Sequence, residues 1–227
     1  MLLKIHSGKK LEPEEIAEVS DYLNAVSVES CNAGCLEQSY SCLLVLGKAK
    51  HYSSRSLFEK FLDIADPLTV SLVLDTLCLE WGGADHYIEN LLKFSFGVSW
   101  DYDEDVRETA IKILGEYVRE AVLISLKEIE KDEDSMSLSS RHLQVLDHLL
   151  KIFSDERQNE WIRRRAYVSL CRVYGREWED VPSDCESFDL EKNAEQVVVD
   201  YCKRLVSVGL SSAPSSSSVS QLFPSTR

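Results

Sequence analysis

Three cysteines near the N-terminus are the residues whose types and spacing best suit metal chemistry. Cys31, Cys35 and Cys42 lie four and seven residues apart, so a continuous helix would place them on one side. Three thiolates can begin a zinc site, but no close histidine completes a tetrahedral set. Cysteine also packs as a small apolar residue in helical cores. We therefore favour core packing and predict neither a metal nor another cofactor.

A second group with chemical potential combines carboxylates and aromatic rings. It consists of Trp100, Asp101, Tyr102, Asp103, Glu104 and Asp105. Paired acids can act as general acid and base or bind a cation. The spacing matches no EF-hand loop, however, and acids ahead of a helix serve its cap and its dipole. We favour that structural role; if a partner binds here, Trp100 and Tyr102 are its expected aromatic anchors.

The sequence contains none of the common catalytic motifs. Its nine glycines are scattered, and Gly82-Gly83 lacks the Lys-Ser or Lys-Thr of a phosphate-binding loop. There is no Gly-x-Ser-x-Gly elbow and no His-Glu-x-x-His pair. His142 and His148 lie six residues apart, a poor spacing for shared ligation on a helix. We therefore predict that the chain is not an enzyme.

The charge distribution indicates what kind of partner the chain would attract. The net charge is −14, and residues 101–134 hold twelve acids against five bases. Phosphate affinity depends on Lys and Arg, so extended nucleic-acid binding is disfavoured. A basic protein would be steered towards this surface. Acidity also keeps proteins soluble without any partner, and that simpler explanation stays open.

Cysteine use and hydropathy suggest a location in the cell. The seven cysteines are odd in number and show no disulfide framework, so we expect reduced thiols and a cytoplasmic protein. The first residues do not resemble a secretory signal. No stretch reaches about 18 consecutive apolar residues, so we expect no membrane span.

Apolar residues recur at helical spacing along the chain, without the alternation typical of strands. We therefore predict an all-α fold. The predicted helices cover about residues 13–23, 36–48, 54–65, 68–81, 86–96, 103–130, 140–153, 159–175 and 190–206, with Asp85 as one cap and a loop over 177–188. Residues 211–227 include eight serines, and we predict that this tail is disordered.

One helical pattern occurs more than once. A shift of 56 residues aligns Val106-Arg107 with Ile162-Arg163, Ala110 with Ala166, and Leu114 with Leu170. A shift of 37 residues relates the segment from Asp66 to the segment from Asp103 more weakly. Short helix pairs bury their apolar faces by stacking on their neighbours, so a repeat of this length predicts an α-solenoid.

Asp105-Val106-Arg107, Ala110-Ile111 and Leu114-Gly115 together resemble the second-helix signature of HEAT repeats. This resemblance implies a right-handed α-solenoid of about four to five helix pairs over residues 1–210. It also implies that Arg107 and Arg163 are structural, and that second helices line a concave binding face. The residues expected to be exposed on that face are Glu108, Lys112, Glu116, Arg164 and Arg172.

The same resemblance raises a DNA-acting alternative, because HEAT-like DNA glycosylases grip duplex DNA with a concave basic face. The only basic cluster here consists of Arg157, Arg163, Arg164, Arg165, Arg172 and Arg176. Five acids between residues 155 and 179 nearly cancel these charges. Pairing of the arginines with acidic residues is therefore the favoured interpretation.

These observations favour a non-enzymatic protein-binding module whose partner has a basic surface. Its sharper form is an acidic immunity-type protein that neutralises a basic toxin such as a nuclease. A general scaffold or adaptor is the alternative within the class, and a HEAT-like DNA-acting enzyme is the alternative outside it. The functional step rests on fold analogy alone.

Overall fold

The computed structural model describes residues 10–129, 138–181, 190 and 194–210, and within them the chain is all-α, as predicted. No β-strand is formed in these ranges. The α-helices there are α1 Pro13–Ala25, α2 Ala33–Lys48, α3 Arg55–Glu59, α4 Pro67–Leu74, α5 Ile88–Ser95, α6 Asp105–Ile129, α7 Ser140–Ser154, α8 Glu160–Val173 and α9 Gln196–Leu210. Shorter 3₁₀ helices cover Val28–Ser30, Tyr52–Ser54, Lys60–Asp63 and Ala84–Tyr87, and a π-helical segment, Asp75–Glu80, continues α4.

The chain divides into two compact units, Met1–Ile113 and Leu114–Arg227, with the division inside α6. In the part of the chain that is described, no helix combines the length and apolarity needed to cross a membrane. The predicted tail, residues 211–227, lies outside the described residues, as do 130–137 and most of the predicted loop over 177–188.

Local sequence explains where α4 begins and where its π-helical continuation ends. The Asp66 side chain accepts a hydrogen bond from Thr69 N at 2.9 Å, and Pro67 occupies the first helical position of α4. Gly82 follows the π-helical segment with a φ of 67°, a conformation that glycine adopts without a Cβ clash. The predicted break at Asp66-Pro67 and the glycine terminator are thus confirmed.

Three other predicted boundaries are wrong, and for one of them the structure gives the reason. α2 begins at Ala33, three residues earlier than predicted, because the Asn32 side chain caps it by accepting from Cys35 N at 3.0 Å. Asp85 does not cap a helix; it lies inside the 3₁₀ helix that leads into α5. α9 begins at Gln196 instead of Leu190.

Each unit has its own buried apolar core. Large side chains with almost no exposure in the first unit include Leu23, Leu43, Leu46, Phe58, Phe61, Leu74, Leu77, Leu91 and Phe94. In the second unit, buried side chains include Leu114, Val118, Leu146, Leu149, Ile162, Tyr167, Leu170, Val198 and Cys202.

One helix contact in the second unit depends on a missing side chain. Gly115 on α6 faces Ser169 on α8, and a Cβ placed on Gly115 would lie 2.5 Å from the Ser169 Cβ. Real Cβ atoms do not approach so closely. Glycine at this position therefore permits the two helices to pack, which is why it interrupts an otherwise good helical sequence.

The prediction of reduced thiols is wrong for one pair. Cys31 and Cys35 form a disulfide, with their Cα atoms 5.4 Å apart. This spacing lies within the range that a disulfide spans without backbone movement. Cys42, two helical turns further along α2, is a free thiol.

Candidate partner-binding surface

The connection from α5 to α6 carries half of the residues predicted to bind a partner. We call residues 96–105, the last of which is the first residue of α6, the aromatic–acidic loop. α5 ends at Ser95, and Gly97 then takes a φ of 92° while its N–H donates to Phe94 O at 2.9 Å. This left-handed turn redirects the chain after the helix, because glycine has no Cβ to oppose it.

Two aromatic side chains of the aromatic–acidic loop project into solvent. Tyr102 is 90% exposed and Phe96 is 71% exposed. Trp100 is only half-buried and presents its ring edge-on to Phe94, with 6.5 Å between the ring centroids. Tyr102 is therefore the better placed of the two predicted anchors.

Helical spacing along the predicted helix over 86–96 puts Phe96 on the same inward stripe as Ile88, Leu91 and Leu92, so sequence reasoning predicts a buried side chain. That expectation is wrong, since the helix ends one residue earlier and the chain turns away. The available signal was Gly97, which is typical of the position just after a helix.

Asp101 has a structural role in this loop. Its Oδ2 atom accepts hydrogen bonds from Val106 N at 3.0 Å and Arg107 N at 3.1 Å, which satisfies donors in the first turn of α6. Its Oδ1 atom is buried and has no hydrogen-bond partner among the described residues. Burial raises the pKa of Asp101, and the backbone N–H groups only partly oppose this shift.

The remaining carboxylates of the loop divide into exposed and paired groups. Asp103 and Asp105 are exposed. Glu104 is half-buried, takes a φ of 61°, and accepts a hydrogen bond at 2.8 Å from Nη1 of Arg107. The free acidic surface beside the two aromatic rings is thus supplied chiefly by Asp103 and Asp105.

The two signature arginines make equivalent contacts in separate units. Arg107 Nε donates to Ser95 O at 3.0 Å, at the end of α5, and Arg163 Nε donates to Phe153 O at 3.0 Å, near the end of α7. Each arginine therefore donates to a carbonyl at the end of the preceding helix. Such a carbonyl has no hydrogen-bond donor within its own helix. This arrangement fits a structural role within a helix pair.

The residues predicted to lie on a concave helical face are mostly engaged within the chain. Lys112 pairs with Asp75 at 3.3 Å, and Arg164 pairs with Glu160 at 2.6 Å. Glu108 is half-buried. Lys112 and Arg164 remain partly accessible, but their charges already have counterparts nearby.

Arg172 is not exposed, contrary to the prediction from helical phase. Its side chain is enclosed by Glu116 from α6, to which Nε donates at 2.7 Å, and by the segment after α8. Nη1 donates to Arg176 O at 2.6 Å and to Glu177 Oε2 at 3.1 Å, and the guanidinium lies 4.6 Å from the Trp178 ring centroid. The Arg172 hydrogen bond lowers the pKa of Glu177, with a further contribution from a nearby arginine. Arg172 therefore belongs to the interior of its unit, and the half-buried Glu116 is engaged with it.

Two further arginines of the basic cluster are paired with nearby acids. The Arg157 side chain forms two hydrogen bonds with Asp155, at 2.8 and 3.1 Å, and Arg176 pairs with Glu195 at 2.5 Å. Paired arginines offer less positive potential to phosphate than the sequence count suggests.

Metal ligation receives no support from the geometry. Among residues 10–129, 138–181 and 194–210, no three His, Cys, Asp or Glu side chains converge on a position suited to a metal ion. Cys31, Cys35 and Cys42 fail this requirement because the first two are joined to each other.

Comparisons of this chain with protein-family models, with curated proteins and with solved structures find no match.

Proposed function

We propose that this chain is a non-enzymatic protein-binding module whose aromatic–acidic loop docks a partner with a basic surface. The observation that carries the proposal is the exposure of Tyr102 and Phe96 beside the exposed carboxylates Asp103 and Asp105. Large aromatic side chains are unfavourable in water and are enriched at the centres of protein interfaces.

The chemistry of the loop favours a cationic partner. Arginine or lysine side chains can stack on the ring of Tyr102 while pairing with Asp103, and both contacts strengthen once water is excluded. The acidic surplus of residues 101–134 would raise the association rate with such a partner. A neutral or acidic partner would gain neither contribution.

We further propose that the helices belong to a HEAT-like, right-handed α-solenoid. Support comes from the equivalence of Arg107 and Arg163, each of which donates Nε to a carbonyl at the end of the preceding helix. The aligned pairs Ala110 with Ala166, and Leu114 with Leu170, are all fully buried. In this arrangement the aromatic–acidic loop connects the first and second helices of one pair.

The sharper form of the proposal is an immunity-type protein that neutralises a basic toxin such as a nuclease. The net charge of −14 supports this form, because inhibitors of basic enzymes benefit from strong electrostatic complementarity. A general scaffold or adaptor would use the same surface for a different partner. The two forms differ in whether binding abolishes an enzymatic activity of the partner.

A DNA-acting enzyme is the less favoured alternative. A duplex-binding groove needs several unpaired cations, whereas Arg157, Arg164, Arg172 and Arg176 all pair with carboxylates in their own unit. That alternative predicts a mobility shift of duplex DNA that weakens steeply with salt.

The test is affinity capture with the full chain from the cells in which it naturally occurs, followed by binding measurements on each purified basic protein recovered. Y102A and F96A should each weaken binding at least tenfold, mainly through faster dissociation. D103N should mainly slow association and reduce its salt dependence. Inhibition of the partner's activity would identify the immunity form.

Matched controls are available in the same unit. L68A removes an apolar side chain outside the loop that is nearly as exposed as Phe96, and D63N removes an exposed carboxylate outside it. Both controls should bind as the unaltered chain does. If the recovered partners are not basic, or if L68A weakens binding as much as Y102A, the proposal is overturned.

A further inference from the structure

The disulfide between Cys31 and Cys35 joins a connecting segment to the first turn of a helix. Cys31 follows the 3₁₀ helix Val28–Ser30, and Cys35 is the third residue of α2. Both cysteines are partly accessible to solvent. The ring that they close contains Asn32, whose side chain caps α2 by accepting from Cys35 N. The disulfide therefore lies where a small reagent can reach it and where its opening acts on a helix cap.

The position of Cys35 also favours its thiolate form when the bond is reduced. A helix N-terminus carries a partial positive charge from its unsatisfied N–H groups, and this stabilises a thiolate in the first turn. Cys31 lies before the helix and has less of this stabilisation. The two sulfurs thus differ in thiolate stability. This difference suits Cys35 to be the attacking sulfur and Cys31 to be the resolving one.

The other described cysteines are in the opposite situation. Burial raises the pKa of Cys78 to about 12 and that of Cys171 to about 11. Burial also raises the pKa of Cys202, and burial together with Glu18 raises that of Cys42. A thiol held in its protonated form is a poor nucleophile. The reactive sulfur chemistry of the described chain is therefore concentrated at residues 31 and 35.

We propose that Cys31 and Cys35 form a reversible redox pair that exchanges electrons with small-molecule thiols and disulfides. Two observations carry this inference: the two sulfurs are bonded, and both residues remain accessible. It is independent of the partner-binding proposal, since the pair lies on a different element from the aromatic–acidic loop. The co-substrate class is a glutathione-like thiol in its reduced and disulfide forms.

Oxidation proceeds by two exchange steps that balance. The Cys35 thiolate attacks one sulfur of the small disulfide, forming a mixed disulfide and releasing one small thiolate. The Cys31 thiolate then attacks the Cys35 sulfur, forming the internal disulfide and releasing the second small thiolate. Two protein thiolates are oxidised and one small disulfide is reduced to two thiolates. Reduction is the same sequence in reverse.

The first experiment equilibrates the full chain in buffers of varied reduced and oxidised glutathione, then alkylates free thiols and maps them by mass spectrometry. Labelling of Cys31 and Cys35 should rise and fall together. The ratio of reduced to disulfide-bonded pair should be proportional to the squared concentration of reduced glutathione divided by the concentration of oxidised glutathione. Cys42 is the matched control on the same helix, and its labelling should not follow this ratio. Cys185, outside the described residues, is mapped on a separate peptide.

The second experiment uses the single variants C31S and C35S with oxidised glutathione. C31S should accumulate a mixed disulfide at Cys35, because the resolving thiol is absent, and at least tenfold faster than C35S does at Cys31. Equal rates would overturn the assignment of Cys35 as the attacking sulfur. The pair itself is disproved if Cys31 and Cys35 are alkylated at every glutathione ratio, or if neither becomes alkylated in reduced glutathione alone. This test of the pair uses only the unaltered chain, so it does not depend on whether the variants fold.

Discussion

Arg107 donates a hydrogen bond from Nε to the backbone oxygen of Ser95 at 3.0 Å, across the connection between α5 and α6. Arg163 makes the same contact with Phe153 across the connection between α7 and α8. A guanidinium thus replaces the missing intrahelical donor at the end of each preceding helix. The two contacts lie in different compact units, so each unit contains its own copy of the device.

The first prediction concerns these arginines. R107M keeps much of the side-chain length but removes the donors, and it leaves Ser95 O and Glu104 without their charged partner. We expect a loss of roughly 2 kcal/mol in the free energy of unfolding, because the site is buried. R163M should lose less, about 1 kcal/mol, since Arg163 is only half-buried. Urea denaturation followed by circular dichroism measures both.

A structural role for the pair requires that both variants be destabilised while partner binding by folded protein is retained. If R107M leaves the denaturation midpoint unchanged, the contact with Ser95 does not contribute to the stability of the fold. The proposal of a repeated device would then fail with it.

The second prediction concerns Arg172, whose side chain is enclosed by Glu116, Glu177 and Trp178. R172M leaves Glu116 half-buried without its strongest partner. We expect about 2–3 kcal/mol of destabilisation, below the largest values for buried pairs because the carboxylates are partly hydrated. R164M is the control: its ion pair with Glu160 is of the exposed i,i+4 kind, worth about 0.5 kcal/mol or less. Similar losses in the two variants would contradict the distinction drawn between them.

The third prediction concerns the contact between Gly115 and Ser169. G115A should destabilise the second unit by about 1–3 kcal/mol, because its Cβ would overlap the Ser169 Cβ. This loss must exceed the helix propensity that alanine brings, about 1 kcal/mol. G34A is the control, since its Cβ would meet only the Asn32 side chain at an ordinary 3.7 Å. Thermal unfolding should show a lower midpoint for G115A and an unchanged or higher one for G34A.

The double variant G115A/S169G provides the decisive comparison. Removing the opposing Cβ should restore part of the stability that G115A loses, so the two changes should not be additive. Additive losses would show that the close approach is not the cause.

Much of the fold could be predicted because its signals are local. The Asp66-Pro67 start and the Gly82 stop each depend on a few neighbouring residues, and both are present. The core stripe of α6 and α8 followed from helical period alone, and Val106, Ala110 and Leu114 are fully buried. The solenoid arrangement is a longer-range property that residue spacing does not specify, and it stays a prediction.

The candidate surface was harder to predict, because exposure depends on what other elements cover. Helical phase assigned Arg172 to solvent, but Glu116 and the segment after α8 enclose it. The same reasoning predicts that Phe96 is buried, although the helix ends before it. The Cys31–Cys35 disulfide could not be deduced from a spacing that also suits unbonded thiols on a helix.

The last prediction concerns the pH dependence that Asp101 brings to stability. Burial raises the pKa of this carboxyl in the folded chain, whereas an unfolded aspartate titrates at about 3.9. The folded state therefore holds its proton to higher pH than the unfolded state. The stability linked to this group is fully present below the unfolded pKa and is lost as the pH rises through the folded pKa.

D101N isolates this effect, because asparagine can still accept hydrogen bonds from Val106 N and Arg107 N but cannot ionise. Relative to D101N, the unaltered chain should become less stable as the pH rises from about 4 through the raised pKa. Urea denaturation of both proteins across that range measures the difference. D101A removes the acceptor as well and should be destabilised by about 1 kcal/mol even where the carboxyl is protonated. The opposite result is that the unaltered chain becomes more stable relative to D101N as the pH rises. That result would mean that the backbone N–H bonds lower the pKa of Asp101 more than burial raises it. The carboxyl would then act as an ordinary charged helix cap, with a lowered pKa.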